Sequence, residues 1–544
     1  MRASAMATSS PADSVALHAR LSPERLAAVD LASGTAWRYA ALELDVARCA
    51  TFLRERGCGV GDRVVAIAKN HVALLIVHLA CARIGAIYTP LNVRLSPPEI
   101  AALLERARPR LTIGDERLAS QSAIDTGLAG PRARFDTGLA RPRARFDATL
   151  AHPGPRFDFT LRELLQQLAQ TAPAETEPVD PDRPSLMLFT SGTTGRPKGV
   201  LLSERNITET ALNFSMLARV GRDSVFLGDA PMFHTIGLIS NTRPALLVGG
   251  TFLVSEEFAP PITLARLADP ALRVSHYFCV PQMAAALRAQ PSYHPASLAR
   301  LTALFTGGAP HPAAAIRSFL REGIAVVDGY GMSEVGCIFG MPLHLETIEE
   351  KASAVGFCTP RVRTRIVDQL GVDCPVGTAG ELWVRGDTVF AGYYESPEDT
   401  EAAFTDGWFR TGDIVRVDED GFHYVVDRKK DMFISGGENV YPAEIEACLL
   451  GFPNLSEAAV VGVPDERWGE VGHLVLVPVK GQTVETKQLL AHLTEQLARF
   501  KVPRFVTHMD ALPRTTTGKV QKRAIRSALL EGRVNVERAA HEEG

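Results

Sequence analysis

Residues 188–200 read Leu-Phe-Thr-Ser-Gly-Thr-Thr-Gly-Arg-Pro-Lys-Gly-Val, and no other stretch restricts the chain so tightly. It gathers Gly192, Gly195 and Gly199, the hydroxyls of Thr190, Ser191, Thr193 and Thr194, and the ammonium of Lys198, directly after the apolar run at 185–189. Glycines let successive backbone N–H groups converge on anionic oxygens, hydroxyls add donors, and the lysine adds a point charge. The competing reading, a Gly/Thr/Pro surface turn between strands, does not call for this density of hydroxyls. The stretch reads as a phosphate grip. Its order is not G-x-x-x-x-G-K-[ST], so it is not the loop of Ras-like and ATPase folds.

A chain of 544 residues exceeds one ordinary core, so two or more domains are expected. Hydrophobic content of 46% with 22% charged residues describes a soluble globular protein, and a formal net charge of -4 makes nucleic acid a poor partner. Eight cysteines are scattered without a C-x-x-C pair, which argues against a disulfide framework or zinc site and fits reduced thiols in the cytoplasm. Residues 1–10 lack the apolar core of a signal peptide and read as a floppy leader. The most apolar window, 72–90, contains His78, Arg83 and Gly85, which predicts a buried helix and following strand rather than a membrane span.

Predicted helices at 39–56, 70–84 and 97–106 alternate with apolar strands at 62–68, 86–90 and 109–113. Such alternation implies layered α/β architecture with largely parallel strands. Strands at 251–254, 274–280 and 325–327 and helices at 261–267 and 312–322 continue it. Beyond residue 363 the strands shorten (363–368, 380–386) and Gly/Asp turns multiply, as in a β-rich subdomain. A last unit has its own pattern, strands at 457–463 and 471–479 and a helix at 486–497. The boundary is set at Lys429-Lys430, giving domains 1–428 and 429–544. An internal repeat interrupts the first: Gly127 to Asp136 recurs at 138–147 and more loosely up to Asp158, with Phe135, Phe146 and Phe157 at constant spacing. Pro and Gly in each unit prevent a continuous helix, and tandem duplication in a tolerant surface loop is favoured over a phosphate- or partner-binding role.

Further motifs lie downstream. Asp328-Gly-Tyr-Gly-Met-Ser-Glu334 follows a predicted strand; its glycines let backbone approach a base, and Tyr330 offers a ring face for stacking. Trp408-Phe-Arg-Thr-Gly-Asp413 presents a carboxylate able to accept from two hydroxyls of a diol. Gly307-Gly-Ala-Pro310, Pro231-Met-Phe-His234, Asp427-Arg-Lys-Lys-Asp431, Phe433-Ile-Ser-Gly-Gly-Glu-Asn439 and Leu512-Pro-Arg-Thr-Thr-Thr-Gly-Lys519 complete the set.

In this order, over residues 17–530, the motifs resemble those of the adenylate-forming superfamily, which holds acyl-CoA synthetases (AMP-dependent CoA ligases), aryl-CoA ligases, luciferases and peptide-synthetase adenylation domains. Only the repeat is foreign to the resemblance. It implies a large N-terminal domain of layered α/β subdomains plus a β-rich subdomain, and a small mobile α+β C-terminal domain. It also implies two half-reactions: a carboxylic acid and Mg·ATP give acyl-adenylate and pyrophosphate, then CoA attacks the mixed anhydride. ATP would be held by Thr190, Ser191, Gly192, Thr193, Thr194, Gly195 and Lys198, by Gly308, Ala309 and Pro310, and by Asp328, Gly329, Tyr330, Gly331, Met332 and Ser333, where Ser333 replaces the usual threonine. Asp413 and Arg428 would take the ribose. Glu334 and Thr190 would ligate Mg²⁺, a hard ion that prefers oxygen donors.

By the same resemblance, Lys519 bridges the substrate carboxylate and α-phosphate as charge builds; no general base is needed, because the acid is already ionised at neutral pH. His234 is assigned, with Gly308, to positioning or gating in the acyl pocket. Lys430 matches a hinge, and Gly436 and Gly437 would let pantetheine approach the backbone. Arg243, inside an apolar run, either meets a second anionic group or faces solvent, and solvent is favoured. The expected acid is a medium- or long-chain fatty acid, with aromatic acids (cinnamate, ferulate or benzoate type) and dicarboxylates as alternatives. A non-catalytic acyl or nucleotide sensor would have lost Lys519, Glu334 or Asp413, and all three are present. No integral membrane segment is expected, and a homodimer is compatible with this reading.

Overall fold

The computed structural model describes residues 13–115, 157–173, 179–190, 197–428, 431–435, 438–465, 467–514, 519–532 and 537–538. Ser191, Gly192, Thr193, Thr194, Gly195, Lys430, Gly436, Gly437 and residues 127–156 of the repeat lie outside the described residues, as does the side chain of Arg428.

Two sheets built on parallel strands form the large domain. In the first, nine-stranded among the described residues, six central strands run parallel in the order Val326–Met332, Leu304–Thr306, His276–Cys279, Val225–Gly228, Thr251–Val254 and Leu26–Asp30. Antiparallel strands flank them: Gly336–Gly340 and Phe357–Cys358 on one side, Ala36–Arg38 on the other. The second sheet orders Gly392–Tyr393, Lys198–Ser203, Pro184–Thr190, Ile87–Pro90, Arg63–Ile67, Leu111–Gly114 and Phe159–Thr160, the last five parallel.

The helix Val72–Ile84 contacts strands of both sheets, and all thirteen of its residues are buried. A sequence apolar but for His78 and Arg83 suits that position, because a helix hydrophobic nearly all round is buried, and the buried Arg83 is paired with Asp13 and Glu43. His71 caps its start by accepting from the Ala73 N–H (2.9 Å), and left-handed Gly85 ends it. No helix among the described residues is long and apolar enough to cross a membrane.

Beyond residue 360 the strands Val362–Val367, Gly380–Gly386, Phe404–Thr405, Trp408–Val417 and His423–Arg428 form an antiparallel sheet, the expected β-rich subdomain. The small C-terminal domain is built on Leu455–Asp465 and Gly469–Pro478, whose side chains alternate between two cores. Val460, Leu474 and Leu476 pack with Leu489, Leu490 and Leu493 of the helix Thr486–Gln496 on one face. Val461, Val463 and Val475 pack with Ile525 and Leu529 of the helix Lys522–Leu530 on the other. The large domain's principal core runs from Val15 to Phe422 and shares no residue with either.

The structure departs from the sequence reading in two places. The strand expected to end near 327 runs on through Met332 and turns back into Gly336–Gly340, so the Asp328 motif lies on a hairpin rather than after a strand. Arg243 does not face solvent: it is 3% exposed and forms an ion pair with Glu204, which also accepts from Ser185 Oγ (2.7 Å) and lies 3.5 Å from His78 Nε2. The partner stands 39 residues away, so the apolar run around Arg243 gave no hint of it.

Candidate active site

In open parallel sheets, ligands bind outside the carboxyl ends of the strands, and four of the sequence motifs converge there. Thr190 ends Pro184–Thr190; the loop to His234 follows Val225–Gly228; Gly307 to Pro310 follow Leu304–Thr306; and Asp328 to Met332 extend their own strand. Gly308 is exposed with φ +79°, and the space where its Cβ would stand is bounded by Ile236 Cδ1 (3.4 Å) and Val280 Cγ1 (3.7 Å). Beside it, Gly307 packs on the Phe278 ring. The missing side chain of Gly308 leaves a narrow slit faced by the apolar Ile236 and Val280.

A brace holds the slit against the hairpin. The Thr306 hydroxyl donates to Asp328 Oδ1 (2.8 Å) and lies 3.0 Å from His311 Nδ1. Burial pushes the Asp328 carboxyl up to about 7, against the donors from Thr306, Gly329 and His311.

Further along the hairpin, pairing slips between Tyr330 and Gly331. A bulge of this kind re-aims side chains; here the Tyr330 hydroxyl donates to Asp413 Oδ2 at 2.5 Å. Asp413 is buried, and its backbone pairs with that of Arg428 on the neighbouring strand. Base-stacking and ribose-binding candidates from positions 83 apart in the chain therefore touch. Gly331 serves packing as well, since a Cβ there would stand 2.2 Å from the Gly336 carbonyl oxygen.

On the other side of the hairpin, Glu334 is buried and accepts from the Tyr393 hydroxyl (3.1 Å), while its backbone carbonyl accepts from the Phe390 N–H (2.8 Å). Lys198, paired in register with Thr190, lies with its ammonium 4.9 Å over the Tyr393 ring and donates to Asp399 Oδ1 (2.7 Å). An open polar cavity of about 650 Å³ adjoins Lys198 and Asp399 and is also lined by Arg106 and Arg108. The Ser333 hydroxyl stands 3.3 Å from Thr235, so the serine keeps a polar contact with the His234 loop.

His234 is half-buried, with no hydrogen-bond partner for Nε2. Burial first, then the charges of Lys519 and Arg94, pull its imidazole down to about 4, so it is neutral at physiological pH. The charge of Lys519, from the small domain, is thus felt at His234. The His234 loop is fixed by Asn70, which donates to the carbonyls of Ala230 (3.0 Å) and Ser255 (3.1 Å) and accepts from the Met232 N–H (2.8 Å). Asn70 and Tyr393 escaped the sequence reading. An asparagine between the apolar strand and the helix that follows was a visible signal; the Gly-Tyr-Tyr at 392–394 carried none.

Residues 15–394 match the model of the AMP-binding enzyme family, and residues 444–519 match that of the AMP-binding enzyme C-terminal domain. The chain belongs to the AMP-binding enzyme family. It is an AMP-forming acid–thiol ligase. Among its relatives, a feruloyl-CoA synthase of Amycolatopsis sp. is 38% identical over 93% of this chain and 96% of its own. An indoleacetate–CoA ligase of Aromatoleum aromaticum is 36% identical over 90% and 92%. The long-chain-fatty-acid–CoA ligase FadD13 of Mycobacterium tuberculosis is 32% identical over 93% and 96%. Of solved structures, ATP-bound MatB from Rhodopseudomonas palustris superposes with TM-score 0.81 at 31% identity, covering 95% of this chain and 98% of that one. The o-succinylbenzoate CoA synthetase MenE of Bacillus subtilis, in complex with ATP and magnesium ion, gives 0.79 at 27% identity, covering 94% and 98%.

Proposed function

We propose that this ligase activates an aromatic carboxylic acid, of the arylpropenoic or arylacetic class, as its acyl-adenylate and passes it to CoA. The observation that supports the adenylation step is the hydrogen bond from Tyr330 to Asp413 (2.5 Å), which brings the base and ribose candidates together, with the charge of Lys519 felt at His234. The choice of an aromatic acid is supported by the feruloyl and indoleacetate ligases among the relatives. A long-chain fatty acid is the second reading, favoured by the 32% identity to the mycobacterial ligase. A dicarboxylate draws no support from Arg243, which is taken up by Glu204.

In this reading the acid lies in the slit with its carboxylate toward Lys519, which stabilises charge on the transferring group. Neutral His234 bounds the slit without competing for the anion. Tyr330 stacks on the base, Asp413 and Arg428 hold the ribose, and residues 190–198 cradle the phosphates. Glu334 and Thr190 fit a hard divalent cation: one is a buried carboxylate oriented by Tyr393, the other a hydroxyl at a strand end, and such an ion ordinarily takes its remaining ligands from substrate phosphates and water. Bound there, Mg²⁺ would neutralise charge on the triphosphate. The boundary between residues 428 and 429, with Lys430 as hinge and Gly436 and Gly437 on the pantetheine channel, completes the proposal.

ATP–pyrophosphate exchange with ferulate, indoleacetate and a series of fatty acids tests it. Exchange driven by the aromatic acids is the expected result; exchange with fatty acids alone sinks the aromatic assignment. Lys519→Ala should slow adenylate formation about 10²–10³-fold while still converting supplied acyl-adenylate to thioester; equal loss in both steps would remove Lys519 from its role.

A further inference from the structure

Tyr393 stands between the two charged groups of the nucleotide half of the site. Its hydroxyl donates to Glu334 Oε1 at 3.1 Å, and its ring face lies 4.9 Å from the Lys198 ammonium, which Asp399 holds from the other side at 2.7 Å. The tyrosine is itself fixed. Its backbone pairs with Val200 on the strand that begins at Lys198, its N–H donates to the Thr400 hydroxyl (2.9 Å), and its ring packs edge-on against Phe390 (4.8 Å between centroids). Phe390 in turn donates its backbone N–H to the Glu334 carbonyl. Tyr393 and Glu334 are therefore locked to one another through side chain and backbone alike.

A carboxylate awaiting a cation must be oriented, and groups that bond the far side of a ligand commonly change metal affinity 10- to 100-fold when removed. A cation over an aromatic face is attracted without being neutralised. We propose that Tyr393 is the positioning residue of the nucleotide site, its hydroxyl aiming Glu334 at the divalent cation while its ring stations Lys198 for the triphosphate. The inference rests on the assignment of Glu334 to the cation made above. It adds a residue outside the motifs, and it couples the strand pair behind the phosphate loop to metal binding.

Tyr393→Phe deletes the hydroxyl and keeps the ring. With α,β-methylene-ATP bound to the full chain, Mn²⁺ affinity followed by electron paramagnetic resonance should weaken about 10- to 100-fold. The Mg²⁺ concentration for half-maximal pyrophosphate exchange should rise by a similar factor, with a smaller loss in kcat at saturating Mg²⁺. Thioester formation from supplied acyl-adenylate should not change. Tyr393→Leu, lacking the ring, should in addition weaken α,β-methylene-ATP relative to AMP. Wild-type Mn²⁺ affinity in a Tyr393→Phe protein of unchanged melting temperature would overturn the proposal, as would a uniform loss in both half-reactions. Because the Mn²⁺ titration needs no acid, failure of the ligase reading, seen as absent exchange in the wild type, is told apart from failure of the tyrosine's role.

Discussion

Asp328 was picked out by its motif, while Thr306 and His311, which engage its side chain, lie outside that motif. The sequence put it beside a nucleotide; the structure turns its carboxylate inward, onto Thr306 and the backbone at His311. The carboxyl rises to about 7 in the folded chain, against about 3.9 unfolded. Between those values the native state holds a proton that the unfolded chain releases, so stability from this group is present at low pH and is lost as pH rises through 7. Asp328→Asn removes the titration and keeps the shape. The variant's melting temperature relative to wild type should therefore climb from pH 4 to pH 7; a flat difference would show that Asp328 is ionised throughout. Asp413 and Lys519 were singled out because their types and spacing belong to a chemistry. The pairing of Glu204 with Arg243 was not legible, since a buried ion pair between distant positions leaves no periodic trace.

Elements followed the same division. Strands 251–254 and 380–386 were read to the residue, and most others fell within two or three positions, because apolar periodicity is set by the buried face of each element. The hairpin of Val326–Met332 and Gly336–Gly340 was not foreseen, since Gly-Tyr-Gly-Met-Ser reads locally as a turn and only sheet pairing and the Thr210 side chain behind Gly336 make it extended. Gly331→Ala tests that account. Its Cβ would collide with the Gly336 carbonyl, so the variant should lose about 2–4 kcal/mol of stability in urea titration, together with ATP affinity. The π-turn at Ile236–Ser240 likewise had no signature, although such turns gather at functional sites. Asn70→Ala would strand one buried N–H and two carbonyls, and about 3 kcal/mol of destabilisation with a raised KM for the acid is expected.

For the whole molecule, two predictions separate scaffold from moving parts. The described residues on either side of residues 127–155 lie together: Asp158, the last residue of the repeat, accepts from the Thr112 N–H (2.8 Å) and hydroxyl (2.9 Å), and Phe157 packs on Gly114. A short linker can replace residues 127–155, and that deletion should leave exchange activity and melting temperature near wild type; a folded but inactive product would give the repeat a role in the site. Lys430→Pro, stiffening the proposed pivot, should spare adenylate formation and impair thioester formation in single-turnover assays. The phosphate-loop sheet has one last consequence. Among the described residues, the outer side of Lys198–Ser203 pairs only with Gly392–Tyr393, which arrives from far downstream in the chain. A nascent polypeptide that has left the ribosome up to residue 390 therefore presents a bare strand edge to its neighbours, a template for clumping. Premature termination before that point should give insoluble product, and chaperone dependence during synthesis should end when those two residues emerge.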